Sequence, residues 1–464
     1  MIRRTLGALL AVAALVCAGG ALRAGDEPDR APTRAALATP VWSARRVPQP
    51  IVDAAGVPVL QRALDAELGA TDGCVAVSSA DGELLAARNP DAPQIPASTL
   101  KVLIGMAAIM VLGADFRYET TAVAPEGGVR AGSVERLWLV GAGDPLLATP
   151  EYAAALADDP FTAGSPTTPL VALADSIVAA GVREVPGGIV GDDSRYDRQR
   201  YLPTWPDNYR TEGTIGPIGA LTVNDGFSSP RVPVADPARY AAEELTRLVT
   251  ERGVAVGAPS QGTAPGGTAP VGSVVSPPLA EIVGAYERGS DNLTGEMLVR
   301  ELGARAGEGG TTAAGLAVVT ATLAELGVPT EGLVLHDGSG LDRGNQVSCT
   351  HLLAAIGAVV TTPELAPVAD GLAVAGATTG TLAGRLVGTP LDGRLRAKTG
   401  SLRGVTGLTG VVEVTQPVRF AFLGAGGFSE QGGAELRERV ALVIGRYPEV
   451  PPADVLVPAP APPG

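Results

Sequence analysis

The stretch Pro96-Ala97-Ser98-Thr99-Leu100-Lys101 opens a run, Val102 to Leu112, that carries no polar side chain. A helix written this way is apolar on every side and has no face for water, so the fold must enclose it. With 464 residues the chain has ample material for that, enough for two or three domains. Pro96 stands just upstream, and Ser98 reads as the N-cap or a first-turn residue. Residues three apart share a helix face, which puts the Lys101 amine within reach of the Ser98 hydroxyl. A lysine beside a serine activates that weak nucleophile if its amine is neutral. Burial favours the neutral form, because desolvation penalises charge.

Composition sharpens this reading. Of 35 basic residues only two are lysine, Lys101 and Lys398. Arginine serves wherever charge alone is needed, whereas lysine offers a compact amine that can lose its proton. Lys398 opens Lys398-Thr399-Gly400-Ser401. Chance would place both lysines in such settings on the order of one time in a thousand. Between them lies Ser290-Asp291-Asn292. Taken singly, Ser290 and Asn292 fit a plain loop and Thr399-Gly400 a plain turn. Together, and in this order, they supply what attack on an amide carbonyl requires. Ser98 is the candidate nucleophile and Lys101 its base. Ser290 would relay a proton to the leaving amine, and Asn292 would hold the Lys101 amine and the substrate's peptide group. Lys398 adds positive potential, which would keep Lys101 neutral by repulsion and attract a substrate carboxylate. Thr399 would hydrogen-bond that carboxylate, and Ser401 completes the substrate-binding edge. The backbone N–H groups of Ser98 and Ser401 are the natural oxyanion donors.

Charged residues make up 18% of the chain and the net charge is −14, so no basic face for nucleic acid is implied. Two histidines, His336 and His351, are expected to cap or pack, and with only three cysteines no metal or organic cofactor is implied. Residues 1–24 read as a secretion signal or uncleaved anchor: Arg3 and Arg4 precede an apolar stretch from Leu6 to Val16 that is too short for a comfortable membrane span. Lipidation at Cys17 fits poorly after Val16. The address is extracytoplasmic, where a disulfide between Cys74 and Cys349 is permitted, although two buried thiols fit as well.

Residues 25–50 form an Ala-, Pro- and Arg-rich spacer, and 449–464 a Pro-rich, disordered tail. Ser98 and Ser290 are 192 residues apart, more than one compact catalytic fold needs. The expected organisation is a catalytic domain in two parts, 51–115 and 274–448, with one or two mixed α/β domains inserted over 116–273. Gln261 to Pro270 reads as a linker and Tyr201 to Tyr209 as irregular. The break near Gly289-Ser290 presents Ser290 and Asn292 from a loop between helices. Packing the N- and C-terminal helices on one face of an antiparallel sheet gives an α+β layer domain.

S-x-x-K, S-D-N and K-T-G in this order resemble the active-site set of penicillin-recognising serine enzymes. From about Pro50 to Tyr447 the chain is similar to the type-4 penicillin-binding proteins. Further stretches carry the likeness: Leu139 to Pro145, Ala220 to Asp225, Asp337 to Arg343, Gly380 to Leu382, and Lys398 through Gly410. The resemblance implies a transpeptidase/β-lactamase-like catalytic domain with inserted domains. It also implies D-alanyl-D-alanine carboxypeptidase activity on peptidoglycan stem peptides, cleavage of cross-links, and acylation by β-lactams. There are departures: a shorter insert, Gly295 where alanine is common, and Asp342 where serine is common. The alternatives are a silent wall-binding protein of the same fold and a β-lactamase, which would need a glutamate and water for deacylation.

Overall fold

A computed structural model of the chain describes residues 49–450. The leader, nearly all of the spacer, Cys17 and the tail from Pro451 onward lie outside the described residues. Helix α1 (Gln49–Leu68) leads into the hairpin β1 (Asp72–Ser79) and β2 (Leu84–Arg88), and a 3₁₀ turn (Ala97–Leu100) runs straight into α2 (Lys101–Leu112). The chain then builds β3 (Glu119–Pro125), β4 (Leu137–Val140), α3 (Pro150–Asp158), α4 (Leu170–Ala179), β5 (Ile189–Asp192), α5 (Pro237–Thr250), β6 (Ser260–Gln261) and β7 (Thr268–Val275). It returns through α6 (Leu279–Gly289), α7 (Asn292–Ala306), α8 (Thr312–Glu325) and α9 (Cys349–Thr361). It closes with β8 (Ala373–Val374), β9 (Leu395–Leu402), β10 (Val405–Glu413), β11 (Pro417–Ala425) and α10 (Glu430–Ile444).

Strands β8-β9-β10-β11-β1-β2 form one antiparallel sheet in that order. Alternation along a strand sends successive side chains to opposite faces. Cys74 and Ala76, with Ala421 and Leu423 opposite them, join the core built from α2 and α6 to α9. Val75 and Val77, with Phe420 and Phe422, join the core of α1 and α10. Both faces are thus covered, which is why β1 is buried without a break from Gly73 to Ser78 instead of alternating with solvent. The terminal helices do share one face, as an α+β layer domain requires. Helix α2 is buried continuously from Lys101 to Ile109, enclosed as its composition demands.

A second sheet, β6-β5-β4-β3-β7, has its own core of Leu137, Leu139 and Ile189 against α4 and α5. Helix α4 meets it with Leu170, Leu173, Ala174 and Ile177, the spacing of one helical face. The expected linker is instead sheet at both ends: Gln261 pairs with Gly191, and Thr268 to Pro270 pair with Pro125 to Val123. A waiting partner strand overrides the weak β-propensity of Gly, Pro and Ala. The stretch Tyr201 to Tyr209 runs into one helical turn, Asp207–Thr211. Polar bonds fasten this region to the catalytic part, among them the half-buried Arg195 Nη2 to Glu301 Oε1 of α7 at 2.7 Å and the buried Trp205 Nε1 to Asp337 Oδ2 at 3.0 Å. Among the described residues no single helix is long and apolar enough to cross a membrane.

Sequence left Cys74 and Cys349 open between thiols and a disulfide; they are bonded, with Cα atoms 5.8 Å apart, tying β1 to the first turn of α9. The closed loop spans 275 residues, so the crosslink restricts a large unfolded ensemble. Replacing both cysteines by serine should lower the stability of the oxidised protein by about 2–5 kcal/mol in denaturant titration. Coincident midpoints would contradict this. His351 completes a capping box with Ser348 at the start of α9, and its Nε2 lies 3.0 Å from the Glu331 carbonyl, whereas His336 is exposed.

Candidate active site

Ser98 is the second residue of the 3₁₀ turn, half-buried, and its hydroxyl caps nothing. Of its two expected roles it takes the first-turn one: it is the second residue of the turn that runs through Leu100 into α2, and Ala97 before it is left-handed at φ 47°. In a 3₁₀ turn residues i and i+3 eclipse, which sets the Lys101 amine beside Ser98. Lys101 Nζ lies 2.9 Å from Ser98 Oγ, 2.9 Å from Asn292 Oδ1 and 2.5 Å from the Ser339 carbonyl. A neutral amine has two N–H donors and one lone pair. Asn292 and Ser339 accept the two donors, so the lone pair faces the Ser98 hydroxyl. Burial pulls the Lys101 pKa down from 10.5 to about 8, against the pull of Asp291, Asp337, Glu287 and Glu296.

Two helices meet at the Ser290-Asp291-Asn292 corner. Ser290 ends α6 in the left-handed conformation (φ 64°, ψ 38°), Asp291 caps α7 by accepting from Thr294 N at 2.6 Å, and Asn292 begins α7. A non-glycine residue in that conformation is strained, and such strain gathers at functional sites. One Asn292 Nδ2 hydrogen goes to the Thr214 carbonyl at 3.0 Å, which leaves the other for substrate. Ser290 lines the same cleft as Ser98 but forms no side-chain hydrogen bond with Ser98 or Lys101.

Strand β9 carries Lys398, Thr399 and Ser401. Its outer edge is paired by β8 only at Arg396 and Ala397, so from Lys398 to Leu402 it lies open to strand addition by a peptide. Thr399 and Ser401 line a cleft of about 550 Å³ with Ser98, Ser290, Asn292 and Arg437. A larger cavity of about 810 Å³, lined by Tyr152, Phe227 and Tyr240, contains none of the motif residues and no activated nucleophile.

Two expectations for Lys398 change. Its side chain is fully enclosed, and its Nζ donates to its neighbour's carbonyl, Thr399 O, at 3.2 Å. The cations on the cleft wall are Arg437, Arg343 and Arg403 instead. Nor is repulsion the main cause of the low Lys101 pKa. Burial is, and the repulsion between amines shows on Lys398, which burial and then Lys101 bring down to about 7.

Sequence reasoning missed Ser339 and Arg437. The Ser339 carbonyl is aimed by its loop: Glu296 Oε1 accepts from Gly338 N and Ser339 N at 2.9 and 2.7 Å, and Asp337 Oδ1 accepts from Gly340 N at 2.9 Å. Gly340, at φ 83°, passes so close that a Cβ there would meet Ala97 O at 2.0 Å. The signal was Asp337-Gly338-Ser339-Gly340, part of the Asp337 to Arg343 stretch that carries the family likeness but was assigned no role at the site. Arg437, on α10, donates from Nη1 to Ser401 Oγ at 2.6 Å and to Gly400 O at 3.2 Å, with no motif to announce it. The two single-residue departures, Gly295 and Asp342, have structural reasons. A Cβ on Gly295 would meet Gly338 O at 2.6 Å, and Asp342 Oδ1 accepts from Gly344 N at 2.7 Å.

A buried amine, an alcohol and a side-chain amide meeting beside an open strand edge define a serine enzyme of the acyl-transfer class. The chain belongs to the D-Ala-D-Ala carboxypeptidase 3 (S13) family of serine hydrolases, whose model matches residues 58–233 and 228–446. It is 30% identical over 423 residues to the D-alanyl-D-alanine carboxypeptidase of an Actinomadura species, covering 74% of this chain and 75% of that one. It is 31% identical over 409 residues to a carboxypeptidase of Mycobacterium tuberculosis, covering 84% and 83%. In fold it is similar to penicillin-binding protein 4 of Haemophilus influenzae, with TM-score 0.70 and 20% identity, covering 84% of this chain and 99% of that one. A second structure of that protein, in complex with a β-lactam, aligns with TM-score 0.61 at 19% identity over 82% and 97%.

Proposed function

We propose that the protein removes the terminal D-alanine from peptidoglycan stem peptides on the outer side of the membrane, through an ester on Ser98. The carrying observation is the Lys101 amine at 2.9 Å from both Ser98 Oγ and Asn292 Oδ1. Ser98 Oγ attacks the carbonyl of the penultimate D-alanine while Lys101 takes its proton. The backbone N–H groups of Ser98 and Ser401 receive the developing oxyanion. Lys101 returns that proton through Ser290 to the departing D-alanine nitrogen, and the C–N bond breaks, leaving Lys101 neutral again. Water then attacks the ester while Lys101 takes its proton, and Lys101 passes that proton to Ser98 Oγ as the acyl–oxygen bond breaks. Thr399 and Ser401 receive the substrate carboxylate, with the positive potential of Lys398 behind the strand. A β-lactam enters the same path, but its leaving nitrogen stays tethered, so the ester persists. Residues 116–273 act as an insertion that walls the cleft, since Tyr209 and Thr214 reach it. The leader exports the chain or anchors it.

The test is incubation with purified pentapeptide and cross-linked muropeptides, followed by mass spectrometry. Loss of one D-alanine from the pentapeptide is expected, and cleaved cross-links would add endopeptidase activity. Intact substrate with folded protein would favour a silent wall-binding protein. Fast turnover of penicillin would favour a β-lactamase.

A further inference from the structure

Among the buried carboxyls the mechanism does not use, one lies against the Lys101 helix. Glu287 sits in the last turn of α6, three residues before Ser290, with its side chain fully enclosed and neither carboxyl oxygen hydrogen-bonded. A carboxyl taken out of water without hydrogen bonds needs a charge partner or a proton to be kept there. Its position explains a glycine in the middle of a buried helix. A Cβ on Gly105 would lie 2.7 Å from Glu287 Oε1, so the carboxyl occupies the room that Gly105 leaves. Gly105 follows Lys101 by four residues and shares its face of α2. On the other side, Glu287 Cβ packs at 2.9 Å from where Gly371 would carry its own Cβ.

The charges around it are few. Lys398 from β9 and Lys101 from α2 act on Glu287 directly, and Glu287 acts on both in return. Asp291, Glu296 and Asp337 bear on Lys101, and Arg437 bears on Lys398. The adjoining Tyr286 is a neutral phenol pushed up by burial. Asp370, on the short helix beside Gly371, is paired with Arg396.

We infer that Glu287 is a positioning residue for acylation: its carboxyl, lodged against the Lys101–Gly105 face, holds protons on the amines of Lys101 and Lys398 and so sets the lower pH limit of the reaction. The inference rests on the reading of Lys101 as the base. The sign follows from charge. Removing the anion destabilises both ammonium forms, so Lys101 becomes neutral at lower pH, and the enclosed Lys398 contributes less positive potential through the strand to the cleft.

The experiment measures the rate and the half-saturation of penicillin acylation against pH for the wild type, Glu287→Gln and Glu287→Met, with Ser98→Ala as the blank. Methionine matches the volume and strands no polar atom, so it carries the comparison if the amide variant fails to fold. Burial brings Glu287 itself up to about 7, so its anion is present only above that pH. The acid limb should therefore move down in either variant, with acylation severalfold faster between about pH 7 and 8 and unchanged well below 7. At neutral pH, half-saturation by the anionic drug should rise severalfold. Limbs that coincide with the wild type, while Ser98 is still labelled, overturn the inference alone. A wild type that forms no ester at Ser98 overturns the site assignment and the inference with it.

Discussion

Ser98→Ala should leave a folded protein that no longer takes up fluorescent penicillin and no longer releases D-alanine. Ser98 is half-buried and its hydroxyl supports no cap, so alanine costs the turn little. What it removes is the atom that forms the ester. Without a nucleophile the remaining groups can only orient a water, and loss of a nucleophilic serine costs on the order of 10⁴ to 10⁶ in turnover. The measurement is gel fluorescence after exposure to labelled penicillin, read beside the thermal midpoint. Persistent covalent labelling of the alanine variant would place the nucleophile elsewhere.

Lys101→Arg should be almost as damaging, although it keeps the charge. A guanidinium stays protonated at any pH the protein survives, so it cannot take the Ser98 proton. The wild-type amine is placed to do so. Titrating near 8, it is neutral in about a tenth of molecules at pH 7, against about three in ten thousand for a lysine at its ordinary 10.5. Acylation should fall by about 10³, the range for loss of a positioned general base. The planar guanidinium must also fit a site with no exposed surface, so Lys101→Met is the companion variant: apolar like its helix and unable to accept a proton. Near-normal acylation of either folded variant would mean that the lysine only props the helix.

The parts of the site that were legible in sequence are those whose chemistry depends on side-chain identity at fixed spacing. Ser98 and Lys101 announce themselves because i and i+3 meet on any helical turn and because lysine is so scarce here. The corner at Ser290 showed through Gly289, which interrupts an otherwise continuous apolar spacing. Ser339 contributes only a carbonyl, and every residue has one. Its aim comes from Glu296 and Asp337, which lie far from Lys101 in sequence. Arg437 reaches Ser401 because α10 packs across the sheet, a tertiary fact with no local trace. The same holds for β7, whose Gly- and Pro-rich start becomes a strand only because β3 lies beside it, and for Cys74, whose partner is chosen by the docking of α9. Lys398 was expected to add positive potential beside the site; that its amine is enclosed and bonded to the Thr399 carbonyl was not legible, since strand alternation alone does not tell which face is closed over.

Everything proposed for Ser98 depends on a Lys101 amine that sheds its proton far below the usual lysine range, and the chain's composition makes that directly measurable. With only two lysines, protein grown on isotope-labelled lysine gives two side-chain signals, and the Lys101→Met variant assigns them. Following these signals against pH by nuclear magnetic resonance should show Lys101 titrating near 8. A Lys101 amine that keeps its proton up to the ordinary 10.5 would contradict the account.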